Sequence, residues 1–193
     1  KVFGPTLGHV LANLKAAGYE PAQVDTILLT HLHGDHVGGL LTADGQVAFP
    51  NAQVFAAKAD ADFWLSPVSL AKAPEASKMF FKAPQDATAP YIKAGHFTTF
   101  EGEAELQPGI KPVSEHGHTP GHTGYLLESK GQKLLVWGDV VHNAAVQLPQ
   151  PKVTIEFDSD QAKALATRMH LLNWTAKDAL LVVYGSPVGA YFK

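Results

Sequence analysis

The chain contains no cysteine. This absence excludes disulfide bonds, thiolate metal ligands and a cysteine nucleophile together, and it leaves the redox compartment open. No stretch approaches the roughly 18 consecutive apolar residues that a membrane-spanning helix needs. No cluster of lysine and arginine runs beyond two residues, and the net charge is −3. The sequence therefore gives no support for a membrane partner or a nucleic-acid partner.

The composition is that of a folded protein. Hydrophobic residues make up 46% of the 193 residues and charged residues 17%, which is typical of a globular chain. This length predicts a single domain spanning residues 1–193. Apolar runs predict strands, and they lie at 26–30, 53–56, 110–114, 124–128, 133–137 and 180–184. Helical patterns lie between them, which predicts mixed α/β layers.

Three helical segments, one hairpin turn and one helix cap carry specific expectations. Apolar spacing predicts helices at 7–14 and 59–65, whereas the Pro-, Ala- and Lys-rich residues 66–95 predict loops and short helices. Gly131-Gln132 is expected to form a hairpin turn. Asp158-Ser159 is expected to cap a later helix. The predicted apolar face of that helix consists of Ala162, Leu165, Ala166, Met169 and Leu172.

Residues 31–36 read His-Leu-His-Gly-Asp-His, and they are the most informative segment. Imidazole nitrogen suits zinc and neighbouring borderline metals, and a carboxylate suits a second, harder position. The segment directly follows the predicted strand at 26–30, and open α/β sheets usually place their chemistry at such strand ends. The pattern therefore predicts a metal site. The alternative is a polar turn that happens to carry histidine.

Two further groups follow predicted strands. Residues 116–122 read His-Gly-His-Thr-Pro-Gly-His, and Asp139 follows Trp137 and Gly138. Loops at strand ends can converge on one centre although they are far apart in sequence, so the three groups together predict a two-metal site. Taken alone, the second group could be turn histidines bonded to the backbone, and Asp139 could be a helix cap.

These histidine and aspartate motifs, in this order, resemble the signature of the metallo-β-lactamase superfamily. Shorter segments at 3–8, 48–52, 61–66 and 144–147 resemble its methyl parathion hydrolase branch. The resemblance runs from about residue 1 to about residue 184. It implies an αββα sandwich with a dinuclear metal centre at one edge.

The resemblance implies a role for each residue around the first ion. His31, His33 and His118 are its ligands, and Asp139 bridges it to the second ion. His122 is expected to lie behind the ligands and orient one of them. Zinc suits such a site, and iron, manganese or cobalt are the alternatives.

The second ion has fewer matching ligands. Asp35 and His36 belong to it by motif, and the superfamily takes a last histidine from a loop beyond the final strand. Ser186 stands about where that histidine belongs, and the chain begins after the first strands of the superfamily pattern. The resemblance therefore predicts a partial domain, shortened at its N-terminus and altered at its C-terminus, whose second metal site is weak or empty.

Two adjacent cations would lower the pKa of a shared water, so that a metal-bound hydroxide exists near neutral pH. Asp35 and Asp139 are the predicted catalytic carboxylates, and Asp35 can also accept a proton from the attacking water. The predicted function is metal-dependent hydrolysis of a small ester, which could be an organophosphate triester, a lactone or an aryl ester. The alternative is a metal-binding fragment of such a hydrolase with impaired catalysis.

In the same branch, aromatic side chains form the pocket for the leaving group, and the matching positions are Phe3, Trp64 and Phe80. His142 and Phe157 fall where the branch has other pocket-lining side chains. The polar His142 could alter substrate choice or serve as an extra metal ligand, and the aromatic residues could instead be ordinary core. The resemblance also implies a homodimer and export to the periplasm or beyond.

Overall fold

The computed structural model describes residues 8–183, and the chain divides into two compact units, residues 1–100 and 101–193. The strands are β1 Thr26–Leu28, β2 Gln53–Ala57, β3 Phe97–Phe100, β4 Ile110–Ser114, β5 Thr123–Ser129, β6 Gln132–Val136 and β7 Leu181–Val183. The helices are α1 Val10–Ala16, α2 Gly34–Val37, α3 Lys58–Trp64, α4 Pro67–Lys72, α5 Lys78–Lys93, α6 Ala144–Gln147 and α7 Gln161–Lys177. The predicted mixed α/β class is confirmed.

The first unit is built on a three-stranded parallel sheet in the order β1-β2-β3. The middle strand has the most buried side chains of the three, because helices cover the faces of a parallel sheet and the central strand lies furthest from its edges. Its core joins the sheet to the loop after β1 and to α3 and α5. The main members of this core are Leu29, Leu32, Val54, Ala56, Trp64, Phe81 and Tyr91.

The second unit is built on a four-stranded sheet in the order β4-β5-β6-β7. The first three strands are antiparallel and β7 is parallel to β6. The hairpin turn lies at Lys130 and Gly131, with φ values of 50° and 76°, and not at Gly131-Gln132 as predicted. Two consecutive residues with positive φ match the strand twist best in a two-residue hairpin.

The prediction of loops and short helices for residues 66–95 is wrong for much of this region, because α5 runs for 16 residues through Pro84 and Pro90. Proline removes a backbone donor and usually breaks a helix. Here a buried stripe at helical spacing, including Phe81, Pro84, Thr88 and Tyr91, packs into the core and outweighs that cost. None of the helices within residues 8–183 has the length and hydrophobicity needed to cross a bilayer.

The last helix also departs from its prediction. Its N-cap is Asp160, whose side chain accepts a hydrogen bond from the backbone N–H of Lys163 at 2.9 Å, and not Asp158-Ser159. Its buried face is also different from the predicted one. The buried residues of α7 are Ala164, Arg168, Leu171 and Thr175. The apolar pattern did not predict the buried face of α7, because the charged side chain of Arg168 is part of that face.

Tyr91 provides a test of the first core. Its hydroxyl donates to the carbonyl of Leu40 at 2.9 Å and accepts from the N–H of Phe49 at 3.1 Å, and all three groups are buried. We expect Tyr91→Phe to lower the free energy of unfolding by roughly 1–3 kcal/mol, because it leaves the buried N–H of Phe49 without its acceptor, whereas the carbonyl of Leu40 keeps the N–H of Ala48 as a donor at 2.9 Å. Urea denaturation measures this. Tyr19→Phe, at a side chain that is 57% exposed, is the control, and equal stability of both variants would contradict the bonding described.

Candidate metal centre

The loop after β1 holds the first histidine motif, and a buried carboxylate anchors it. The backbone N–H of Leu32 donates to Oδ2 of Asp60 on α3 at 2.8 Å, and both residues are fully buried. Leu32 separates His31 from His33, so this bond fixes the backbone between two predicted ligands. The sequence pattern did not indicate Asp60 as a functional residue. An aspartate inside a short apolar helix was the available signal.

The first motif brings its imidazoles close together. The ring centroid of His31 lies 4.7 Å from that of His33 and 4.0 Å from that of His36. The short helix α2 begins directly after His33, and on it Asp35 Oδ2 lies 3.5 Å from His36 Nε2. The predicted ligands of residues 31–36 therefore form one compact group within the first unit.

The second unit brings together His118, Asp139 and His142. Asp139 Oδ2 lies 3.6 Å from His118 Nε2 and 3.3 Å from His142 Nε2, and one ligand atom of each residue lies within 4.8 Å of the others. Charge-assisted N–H···O bonds are shorter, at about 2.7–2.9 Å. Ligand atoms that share one tetrahedral ion at about 2.0–2.2 Å are themselves about 3.3–3.6 Å apart. The three side chains therefore fit a divalent cation.

His118 is oriented by a buried carboxylate. Its Nδ1 lies 3.0 Å from Oδ1 of Asp158. Because an ionised carboxylate only accepts, Nδ1 carries the proton and Nε2 presents its lone pair on the side of Asp139. Metal-binding histidines usually have such a partner on the other nitrogen. The sequence reasoning missed this role because it interpreted Asp158 as a helix cap.

Arg168 lies behind this pair and is itself buried. Its Nη2 lies 3.8 Å from Oδ2 of Asp158. The guanidinium also donates to the carbonyls of Val140, Pro151 and Val153 at 2.7–3.0 Å. Burial lowers the pKa of Arg168, and the charge of Asp158 acts in the opposite direction. Arg168 thus joins the segment that follows Asp139 to the carboxylate that orients His118.

His122 holds the backbone of Asp139. The N–H of Asp139 donates to His122 Nε2 at 3.0 Å, so that nitrogen is engaged and the proton of a neutral ring lies on Nδ1. Nδ1 lies 3.6 Å from Oε2 of Glu115. This geometry makes His122 a positioning residue and adds Glu115, which the sequence reasoning did not identify. A Cβ at Gly124 would lie 2.1 Å from Glu115 Oε1, so only glycine leaves room for this carboxyl.

The predicted substrate residues lie in different environments. Trp64 is buried, its ring centroid is 4.9 Å from that of His33, and it packs on Phe81 in the core. Phe80 and Phe157 are 38% and 66% exposed. Phe3, like Ser186, lies outside the described residues. A pocket-lining role for these aromatic residues stays a prediction.

Comparison with known proteins agrees with the fold. The model of the metallo-beta-lactamase superfamily matches residues 3–186. The chain therefore belongs to the metallo-beta-lactamase superfamily, as its motifs predicted. The assignment to the methyl parathion hydrolase branch stays a prediction.

Individual relatives add detail about neighbouring activities. The chain is similar to the crystal structure of hydrolase AbOPH, with 41% identity and a TM-score of 0.88 over 98% of this chain and 67% of that one. It is similar to AidC, a dizinc quorum-quenching lactonase, with 26% identity and a TM-score of 0.82 over 92% of this chain and 62% of that one. An N-acyl homoserine lactonase from Bacillus sp. is 30% identical over 117 residues, which are 61% of this chain but only 38% of the lactonase.

The orientation of His118 can be tested through Asp158. We expect Asp158→Asn to lower zinc affinity about 10–100-fold, because an amide cannot hold the same ring proton as strongly as a carboxylate. Competition titration with a zinc chelator measures this affinity. Asp160→Asn is the matched control, since asparagine also caps a helix and Asp160 lies at the N-terminus of α7. Equal zinc affinity of both variants would argue against the orienting role.

Glu115 gives a pH-dependent prediction. Burial raises its pKa well above the ordinary value of 4.5, so above that pH the folded protein retains a proton that the unfolded chain has lost. Stability is therefore expected to fall with rising pH, by up to about 1.4 kcal/mol per pH unit while one proton differs. Glu115→Gln removes this dependence.

Urea denaturation between pH 5 and pH 8 compares the two proteins. The difference in unfolding free energy, Glu115→Gln minus the unmodified protein, should increase with pH. Glu156→Gln, at an exposed position, should give a pH profile parallel to that of the unmodified protein. A parallel profile for Glu115→Gln as well would show that Glu115 ionises normally in the folded state.

Proposed function

We propose that this chain is a metal-dependent hydrolase of small esters and that lactones are its first substrate class. The observation that carries the proposal is the set of contacts around His118. Asp158 holds one ring nitrogen at 3.0 Å, and the other nitrogen lies 3.6 Å from Asp139. A histidine arranged in this way, with a second buried carboxylate on its ligand side, suits a divalent ion.

The proposed ligands of the first ion are His31, His33, His118 and the shared Asp139. Those of the second ion are Asp35, His36 and Asp139. When bound, two such ions lower the pKa of water, polarise a carbonyl or phosphoryl oxygen and neutralise charge that develops in the transition state. Zinc is proposed first, because imidazole dominates the ligand set and a similar structure is of a dizinc lactonase.

The protein side chains would supply orientation and proton transfer. His122 holds the Asp139 backbone through a 3.0 Å bond, which keeps the bridging carboxylate in one place. Asp35, whose side chain is 12% exposed, is proposed to accept the proton of the attacking water. No cysteine is present to act as a nucleophile, which agrees with direct attack by water.

Lactones are placed first because two of the similar proteins are lactonases, one in complex with N-hexanoyl-homoserine. Organophosphate triesters and aryl esters stay in the proposal, because the same activated water can attack phosphorus or a carbonyl carbon. A homodimer and export are further predictions that rest on the sequence resemblance alone.

Metal content and turnover test the proposal together. Protein purified without added metal is assayed by elemental analysis. It is then assayed with an N-acyl homoserine lactone, a nitrophenyl phosphotriester and an aryl ester, before and after chelation. We expect lactone hydrolysis that chelation abolishes and that zinc, cobalt or manganese restores. We expect His118→Ala to lower kcat/KM about a hundredfold or more, whereas His170→Ala, on the exposed side of α7, has no effect.

The outcomes separate the two functional hypotheses. Failure of all three metals to restore turnover on any ester class would overturn the hydrolase proposal. If the protein still binds about one metal ion per chain in that case, it is the impaired metal-binding form. Weak turnover with one ion per chain would place activity on the first ion and agree with Ser186 replacing the last histidine.

A further inference from the structure

His142 is a mostly buried imidazole for which the described residues provide no hydrogen bond. Its side chain is 15% exposed, and neither ring nitrogen has a hydrogen-bond partner within residues 8–183. A buried polar group without a partner is costly. The position of His142 therefore calls for a ligand that its ring nitrogens can bind.

The backbone around His142 is held firmly. Oε1 of the buried Gln147 accepts from the N–H of His142 at 2.7 Å and from the N–H of Asn143 at 3.1 Å. The other end of the same amide donates to the carbonyl of Val153 at 3.0 Å. The imidazole is thus attached to a backbone whose conformation is already fixed, which is what an exact ligand position requires.

The ring of His142 faces two residues that the proposed function already uses. Its Nε2 lies 3.3 Å from Oδ2 of Asp139, and its ring centroid lies 4.6 Å from that of His118. The distance to Asp139 is long for a charge-assisted hydrogen bond and matches the separation of two ligand atoms on one ion. His142 and His118 approach the same carboxylate oxygen.

We propose that His142 is a ligand of the metal ion that His118 and Asp139 bind. This inference rests on the proposed function and adds a ligand that the superfamily motifs in this chain do not include. A further neutral imidazole makes the coordination of that ion richer in nitrogen. Such coordination favours zinc and cobalt over manganese, which prefers oxygen ligands.

Two measurements test this role without using turnover. In protein labelled with nitrogen-15 at histidine, zinc addition should shift the ring nitrogen of His142, and the assignment follows from loss of that signal in His142→Gln. Chelator competition should show that His142→Ala and His142→Gln lower zinc affinity about tenfold or more. Their manganese affinity should change less, and His170→Ala should match the unmodified protein.

The competing role of His142 is a substrate contact. In that case its variants would raise KM, while zinc affinity and the ring signal would stay unchanged, and the inference would be overturned. If His142→Ala fails to fold by circular dichroism, His142→Gln and the ring signal of the unmodified protein still decide the question.

Failure of this inference is distinguishable from failure of the proposed function. If His118→Ala lowers zinc affinity and the His142 variants do not, only the ligand role of His142 is wrong. If the unmodified protein binds no zinc, both are wrong.

Discussion

The bond between His118 and Asp158 is the interaction on which the second ligand group depends. A neutral imidazole has one protonated nitrogen and one nitrogen with a lone pair, and a neighbouring carboxylate decides which is which. At 3.0 Å, Asp158 assigns the proton to Nδ1. Without it, His118 could present an N–H to Asp139, and the two would form a hydrogen bond where a cation is needed. The guanidinium of Arg168 lies 3.8 Å from the other oxygen of this buried carboxylate.

Each candidate ligand of the second unit is held by a buried polar side chain. Asp158 bonds to the ring of His118, His122 to the backbone of Asp139, and Gln147 to the backbone of His142. These hydrogen bonds mainly offset the cost of burying the polar groups that form them, so the partners add little net stability. Their effect is to fix the candidate ligand atoms in place, which would reduce the ordering that binding of a cation requires.

Sequence patterns indicated the candidate ligands but not the side chains that hold them. Closely spaced histidines form a pattern that is visible in the sequence. Asp60 and Asp158, in contrast, bond to residues 28 and 40 positions away, and no local sequence pattern indicates such a contact. Asp158 was interpreted as a helix cap because a true cap, Asp160, lies two residues later. The buried face of α7 was mispredicted for the same reason. Arg168 points inward and donates to backbone carbonyl groups that come close only in the folded chain. The long helix α5 was not predicted, because its two prolines favoured loops and short helices. In the structure, the packing of its buried stripe of side chains stabilises the helix.

His142 is neither a residue of a clear sequence motif nor a support that the sequence reasoning overlooked. Its residue type is that of a metal ligand, but it belongs to neither histidine cluster of the sequence. The structure adds the conformation of the backbone. Gly138 has a φ of 52°, which favours glycine, and Asp139 sits at φ −97° and ψ 35° in the turn that follows, a sparsely populated conformation. Such a turn allows residues three apart to face the same side, and Asp139 and His142 then meet at 3.3 Å. A single short turn thereby brings these two side chains together, which the sequence spacing alone did not show.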